Sequence, residues 1–187
     1  VESVASDRNI DLHLDTELGR VEGFVGNFRS TLSVKGTEQV LEHGVAVIAT
    51  GAQELKPEEY LYGQDPRVLT HLELDRRFME NDPSLKKLKT AVFIQCVGSR
   101  EPERPYCSRV CCTHSMESAL HLKQLNPDMN IYVLYRDIRS YGEREYVYRK
   151  ARSEGILFIQ FSRDRKPQVR AEAGGVRIEL FDRNLGQ

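Results

Sequence analysis

All four cysteines of the chain fall between Cys96 and Cys112, spaced Cys96-x10-Cys107-x3-Cys111-Cys112. Cysteines kept only for packing scatter among strands and helices, so a group this tight points to shared chemistry. Thiolates gathered in this way can ligate an iron-sulfur cluster, chelate zinc, close disulfides or stay free. An iron-sulfur cluster suits them best, because Arg100, Arg104 and Arg109 would offset its negative charge. The other readings stay open. Disulfides use the even count but belong to oxidising compartments. Four-cysteine zinc sites show paired C-x2-4-C knuckles, and only Cys107-x3-Cys111 resembles one. The spacing follows neither common ferredoxin run. Adjacent Cys111 and Cys112 point apart in regular backbone, so both are ligands only where the chain is irregular.

Secondary structure must bring these sulfurs together. From Thr90 the pattern reads strand (91–94), cysteine-bearing loop, helix (115–125), strand (131–135), helix (144–153), strand (156–161). That alternation with short connections is a βαβαβ unit with parallel strands. Cys96 then ends the first strand, and Cys111-Cys112 immediately precede a helix. The group lands at the carboxyl edge of the sheet, where α/β sites form and a helix N-terminus favours thiolates. Gly155 stands where a helix C-cap is wanted, and residues 176–181 read as one further strand. In the loop after the first strand a nicotinamide enzyme would carry G-x-G-x-x-G; only Gly98 is there, which argues against NAD(P).

Upstream, residues 21–34 read as two short strands around Gly26-Asn27, followed by a turn at Lys35-Gly36-Thr37. The β-branched run at 45–48 is expected to be a buried strand entering a bend at Ala49-Thr50-Gly51. Thr70-x-x-Glu73 is a capping box opening a short helix with Leu74 and Phe78 one turn apart, which Asn81-Asp82-Pro83 stops. The expected organisation is a β-rich segment (1–60), a linker with a short helix (61–89) and an α/β unit carrying the cysteines (90–187).

Composition sets outer limits. Lys and Arg total 27 against 28 for Asp and Glu, so no global field favours nucleic acid or an anionic membrane. Apolar runs are too short for membrane insertion, and the start lacks the order of a secretory signal, so a cytoplasmic location is expected. Val1 is no initiator, and the chain reads as a fragment of a longer protein.

The segments Ile94-Gln95-Cys96-Val97-Gly98-Ser99-Arg100, Arg104-Pro105-Tyr106-Cys107-Ser108-Arg109-Val110-Cys111-Cys112-Thr113-His114 and 132–139 with Tyr141-Gly142 closely resemble the A subunit of heterodisulfide reductase and its relatives. Residues 21–28 and Ala49-Thr50-Gly51 are also similar. The resemblance runs from about Val21 to Phe161. It implies an α/β fold in which a Rossmann-like parallel sheet, similar to the nucleotide domain of thioredoxin-reductase-like flavoproteins, is inserted into an FAD domain. Residues 1–60 would be a part of that FAD domain containing a β-hairpin. It also implies a [4Fe-4S] cluster held by Cys96, Cys107, Cys111 and Cys112 near the flavin, with Thr50 and Gly51 close to FAD. The implied activity is oxidoreduction: electron transfer between FAD and the cluster, in some members bifurcation, beside other subunits of the complex and in a possible homodimer of the full-length protein. The flavin fingerprint and further ferredoxin-type cysteine runs are absent, so these residues should hold FAD poorly if at all. The alternative is a zinc-stabilised interaction domain without redox chemistry.

Four further readings concern single residues. His114 either serves the metal or a proton, or caps a helix. His121 reads as solvated. Tyr135, Arg136, Asp137 and Arg139 either meet the flavin or a neighbouring domain or form a salt-bridged turn. Lys86, Lys87 and Lys89 read as a solvated face.

Overall fold

The computed structural model describes residues 2–186, which divide into one compact unit ending at Gln53 and another beginning at Glu54. The first holds a short helix α1 (Glu2–Ala5) and three strands, β1 (Thr16–Phe24), β2 (Asn27–Val34) and β3 (Thr37–His43), paired antiparallel in the order β1-β2-β3. Phe24 opposes Asn27, so the first hairpin turns at Val25-Gly26, one residue before the expected position. The second turns at Lys35-Gly36, both with positive φ, as a two-residue hairpin with matching twist requires. A bulge at Gly19 interrupts the β1–β2 register. Among the described residues of this unit Ser30 alone is buried, its hydroxyl 2.7 Å from His43 Nε2.

The expected strand at 45–48 is not formed. Val45, Val47 and Ile48 lie in irregular backbone at 68%, 85% and 87% exposure. A β-branched run becomes a strand only where a neighbour completes its hydrogen bonds, and β3 pairs only with β2 here. β3 itself was not anticipated, because Glu38, Gln39 and Glu42 hide its pattern.

The second unit contains α2 (His71–Met79), β4 (Thr90–Ile94), α3 (Cys111–Leu125), β5 (Asn130–Tyr135), α4 (Glu145–Ser153) and β6 (Leu157–Gln160), followed by a hairpin of β7 (Gln168–Glu172) and β8 (Gly175–Glu179). β4, β5 and β6 form the expected parallel sheet, β5 central. Such strands carry apolar side chains in runs rather than alternation. Phe93, Ile131 and Val133 meet Met116, Ala119, Leu120 and Leu122 of α3 and Ala151 of α4 in one core. Leu74 and Phe78, one turn apart on α2, pack against it. The capping box is complete: Thr70 Oγ1 accepts from the Glu73 N–H, and Glu73 accepts from the Thr70 N–H at 2.8 Å. Gly155, at φ +77°, follows α4 as a left-handed cap. A 3-10 turn at Gly142–Arg144 leads into α4. α3 begins at Cys111, four residues before the expected start, so Cys111 and Cys112 lie inside its first turn rather than before it.

Candidate metal centre

β4 stops at a bend that carries the first sulfur. The Gln95 N–H still reaches Leu134 O at 2.9 Å, but Cys96 turns left-handed at φ +63°. Gly98, Arg100 and Arg109 share that conformation at +62°, +60° and +62°. For residues with a Cβ it costs roughly 1–2 kcal/mol each, so surrounding bonds must hold the loop. Several do. Glu101 and Arg104 exchange backbone hydrogen bonds of 3.1 and 3.0 Å, while the Arg100 N–H and the Ser99 hydroxyl both donate to Tyr106 O.

Arg136, just past β5, grips the same loop. Its Nη2 donates to Arg100 O at 3.0 Å, and its Nη1 to Ser99 O and to Glu101 Oε1. Glu101 also takes Lys166 Nζ at 3.0 Å and Arg163 Nε at 3.5 Å. The Lys166 ammonium, with Arg136 and Arg163, holds the Glu101 carboxyl below its usual range. Arg136 and Asp137 thus form ion pairs with Glu101 and Arg100 of the cysteine loop.

Each sulfur has its own surroundings. Cys96 is partly buried, which pushes its thiol up, and it accepts from Arg100 Nη1 at 3.9 Å. Cys107 accepts the Arg109 N–H at 3.4 Å. The neighbouring Cys112 thiol, with the Ser108 hydroxyl that donates to Cys111 at 3.6 Å, brings the Cys111 thiol down to about 6. Cys112, only 4% exposed, is driven the opposite way by the adjacent Cys111 and by burial; its thiol donates to Asp137 O at 3.8 Å. Of this adjacent pair Cys111 is the sulfur that ionises first. Both residues lie in the first turn of α3, Cys111 facing the Ser108 hydroxyl and Cys112 the Asp137 carbonyl. Charge on Cys96 and on Cys111 is felt at Cys112, so three of the four sulfurs are electrostatic neighbours. All four are free thiols, with no disulfide.

Behind the sulfurs lies a buried polar junction. Ser115 Oγ, fully enclosed, donates to Cys111 O at 2.8 Å, lies 3.0 Å from His71 Nε2 and accepts from Gln95 Nε2. One donor and two acceptor sites are thereby filled, which places the His71 proton on Nε2. The junction ties the end of β4, beside Cys96, to the first turn of α3, which holds Cys111 and Cys112. His71 stacks on His114, centroids 4.7 Å apart, and His114 Nε2 pairs with Asp75. His114 thus joins α3 to α2 and does not cap the helix, whose start has no side-chain cap. His121 stacks on Phe78 at 4.2 Å.

Four soft thiolates with N–H donors aimed at sulfur and arginines alongside fit an iron-sulfur cluster by donor chemistry. Among the described residues no three His, Cys, Asp or Glu side chains converge closely enough to chelate a single ion.

No family model matches the chain. Curated relatives do. The iron-sulfur A subunit numbered 2 of CoB–CoM heterodisulfide reductase from Methanopyrus kandleri is 38% identical over 135 residues, covering 64% of this chain and 21% of that protein. Over this segment the chain is similar to heterodisulfide reductase A subunits. The A subunit of H(2):CoB-CoM heterodisulfide,ferredoxin reductase from Methanothermobacter thermautotrophicus is 37% identical over 136 residues, 64% of this chain and 21% of that protein. The A subunit of the ferredoxin/F(420)H(2)-dependent CoB-CoM heterodisulfide reductase from Methanosarcina acetivorans is 32% identical over 160 residues, 74% of this chain and 20% of that protein. The chain spans about a fifth of the length of these relatives.

Thr50 and Gly51, the residues expected near FAD, lie in the first unit in irregular backbone, both exposed, Gly51 at φ +69°. Reading the sequence missed Gln95, Ser115 and His71, whose partners lie 20 and 44 positions apart along the chain. It also missed Lys166 and Arg163. No helix among the described residues is long and apolar enough to cross a membrane.

Proposed function

We propose that this segment is the cluster-bearing part of a cytoplasmic oxidoreductase subunit, in which Cys96, Cys107, Cys111 and Cys112 ligate one [4Fe-4S] cluster that exchanges single electrons with FAD of the same subunit. The observation that carries the proposal is the sulfur group at the carboxyl edge of the parallel sheet, where Cys111 is biased towards thiolate and Cys96 and Cys112 stand within electrostatic reach. The cluster supplies one-electron chemistry when bound; the chain holds the sulfurs, shields them and offsets their charge. The sheet would be the Rossmann-like insertion of a thioredoxin-reductase-like flavoprotein, and the first unit a piece of its FAD domain. The flavin side rests on the family resemblance alone, and so do the other subunits of a heterodisulfide-reductase-like complex and a homodimer of the whole protein.

Anaerobic reconstitution with iron and sulfide should give brown protein whose absorbance bleaches with dithionite and whose reduced form has an iron-sulfur EPR signal. Cys107→Ser or Cys111→Ser should lose most of the iron. Colourless, iron-free wild type, or zinc without acid-labile sulfide, would overturn the reading.

A further inference from the structure

Arg100 has one guanidinium nitrogen on a sulfur and another on a carboxylate. Nη1 donates to Cys96 Sγ at 3.9 Å, and Nη2 donates to Asp137 Oδ2. The Arg100 side chain is 18% exposed, so its charge acts through little water, while Asp137 is half exposed. Asp137 also touches a second sulfur, since its backbone oxygen accepts the Cys112 thiol. The ion pair therefore touches one sulfur directly, Cys96 at the end of β4, while the backbone of Asp137 meets a second, Cys112 in the first turn of α3. Arg100 holds this position at φ +60°, a conformation an arginine adopts only under constraint, and Arg136 clamps its carbonyl.

We propose that Arg100 and Asp137 are positioning residues that set the reduction potential of the bound cluster, the guanidinium raising it and the carboxylate moderating that rise. This rests on the reading of the cysteines as [4Fe-4S] ligands. Reduction adds one electron and hence one negative charge to the cluster. A cation and N–H donor at a ligand sulfur stabilise the reduced form, and an anion at the same place opposes it. The pair also explains why Arg100 is tied down at both ends: a free arginine would swing into water and take its charge away from Cys96.

The two halves of the pair give opposite signs, which separates tuning from architecture. In the reconstituted 187-residue chain, EPR-monitored titration with dithionite should show Arg100→Gln with a midpoint below wild type and Asp137→Asn above it. The double variant should return towards wild type. Arg100→Lys keeps the charge and should stay closer to wild type than Arg100→Gln, which covers the case in which Arg100→Gln takes up no cluster. A purely structural ion pair predicts otherwise: each variant would lower Tm alike, and potentials would move in the same direction or not at all. Either of those patterns overturns the proposal. Wild-type chain that takes up no iron or sulfide would instead defeat the cluster reading on which it stands.

Discussion

The antiparallel sheet before Gln53 and the parallel sheet after Glu54 both pair their strands, yet they treat apolar side chains oppositely. In the first unit Leu18, Phe24, Val25 and Val40 are more than half exposed, and the small hydroxyl of Ser30 is the buried side chain. In the second, Met116, Ala119, Met129, Val133 and Ala151 reach zero exposure. Hydrogen-bonded strands shape the backbone in both, but burial of apolar area supplies most of the net stabilisation. A three-stranded sheet without a covered face is marginal. The second unit therefore has the rigidity a multi-sulfur site needs, since thiolates separated along the chain hold their geometry only on packed elements.

The contrast can be broken by mutation, starting with the core. Leu122→Ala, at 2% exposure, should cost about 2–5 kcal/mol in the second unit, read by urea unfolding with circular dichroism. A loss under about 1 kcal/mol would mean that this core is not tightly packed. Acid should act next most strongly. Burial, with the nearby His114, lowers the pKa of His71 from 6.5 to about 4 against the pull of Asp75 and Glu54. Between those values the unfolded chain takes up a proton that the folded unit refuses, so the His71 contribution to stability falls as pH drops from about 6.5 to about 4 and is constant above that window. The full loss is on the order of 3 kcal/mol. His71→Phe should flatten the dependence, and an equally steep slope in that variant would assign it to another group. Removing the cap of α2 with Thr70→Ala should cost about 1 kcal/mol. In the first unit, Val47→Ser at 85% exposure should change stability by under about 0.5 kcal/mol. A large effect there would show that this run is covered in solution.

The same division decided what could be read from sequence. β4, β5 and β6 were legible because strands of a parallel sheet are continuous apolar runs, and α2 because Thr70 and Glu73 form a reciprocal cap. The strand expected at 45–48 failed for a physical reason: apolarity favours burial, but pairing depends on a neighbour that β3 does not supply. α3 was started too late because Cys111 and Cys112 read as loop chemistry and Val110 offers no capping side chain. The four cysteines stood out by type and spacing. Arg136, Glu101, Lys166 and the Gln95–Ser115–His71 junction did not, because polar residues signal little until the fold brings distant ones together.

If Cys96 ligates the proposed cluster, the left-handed backbone there sets metal retention against the stability of the metal-free protein. Glycine there would relax the bend by about 1 kcal/mol while deleting a sulfur, so a selection for thermal resistance alone would drift towards losing the ligand.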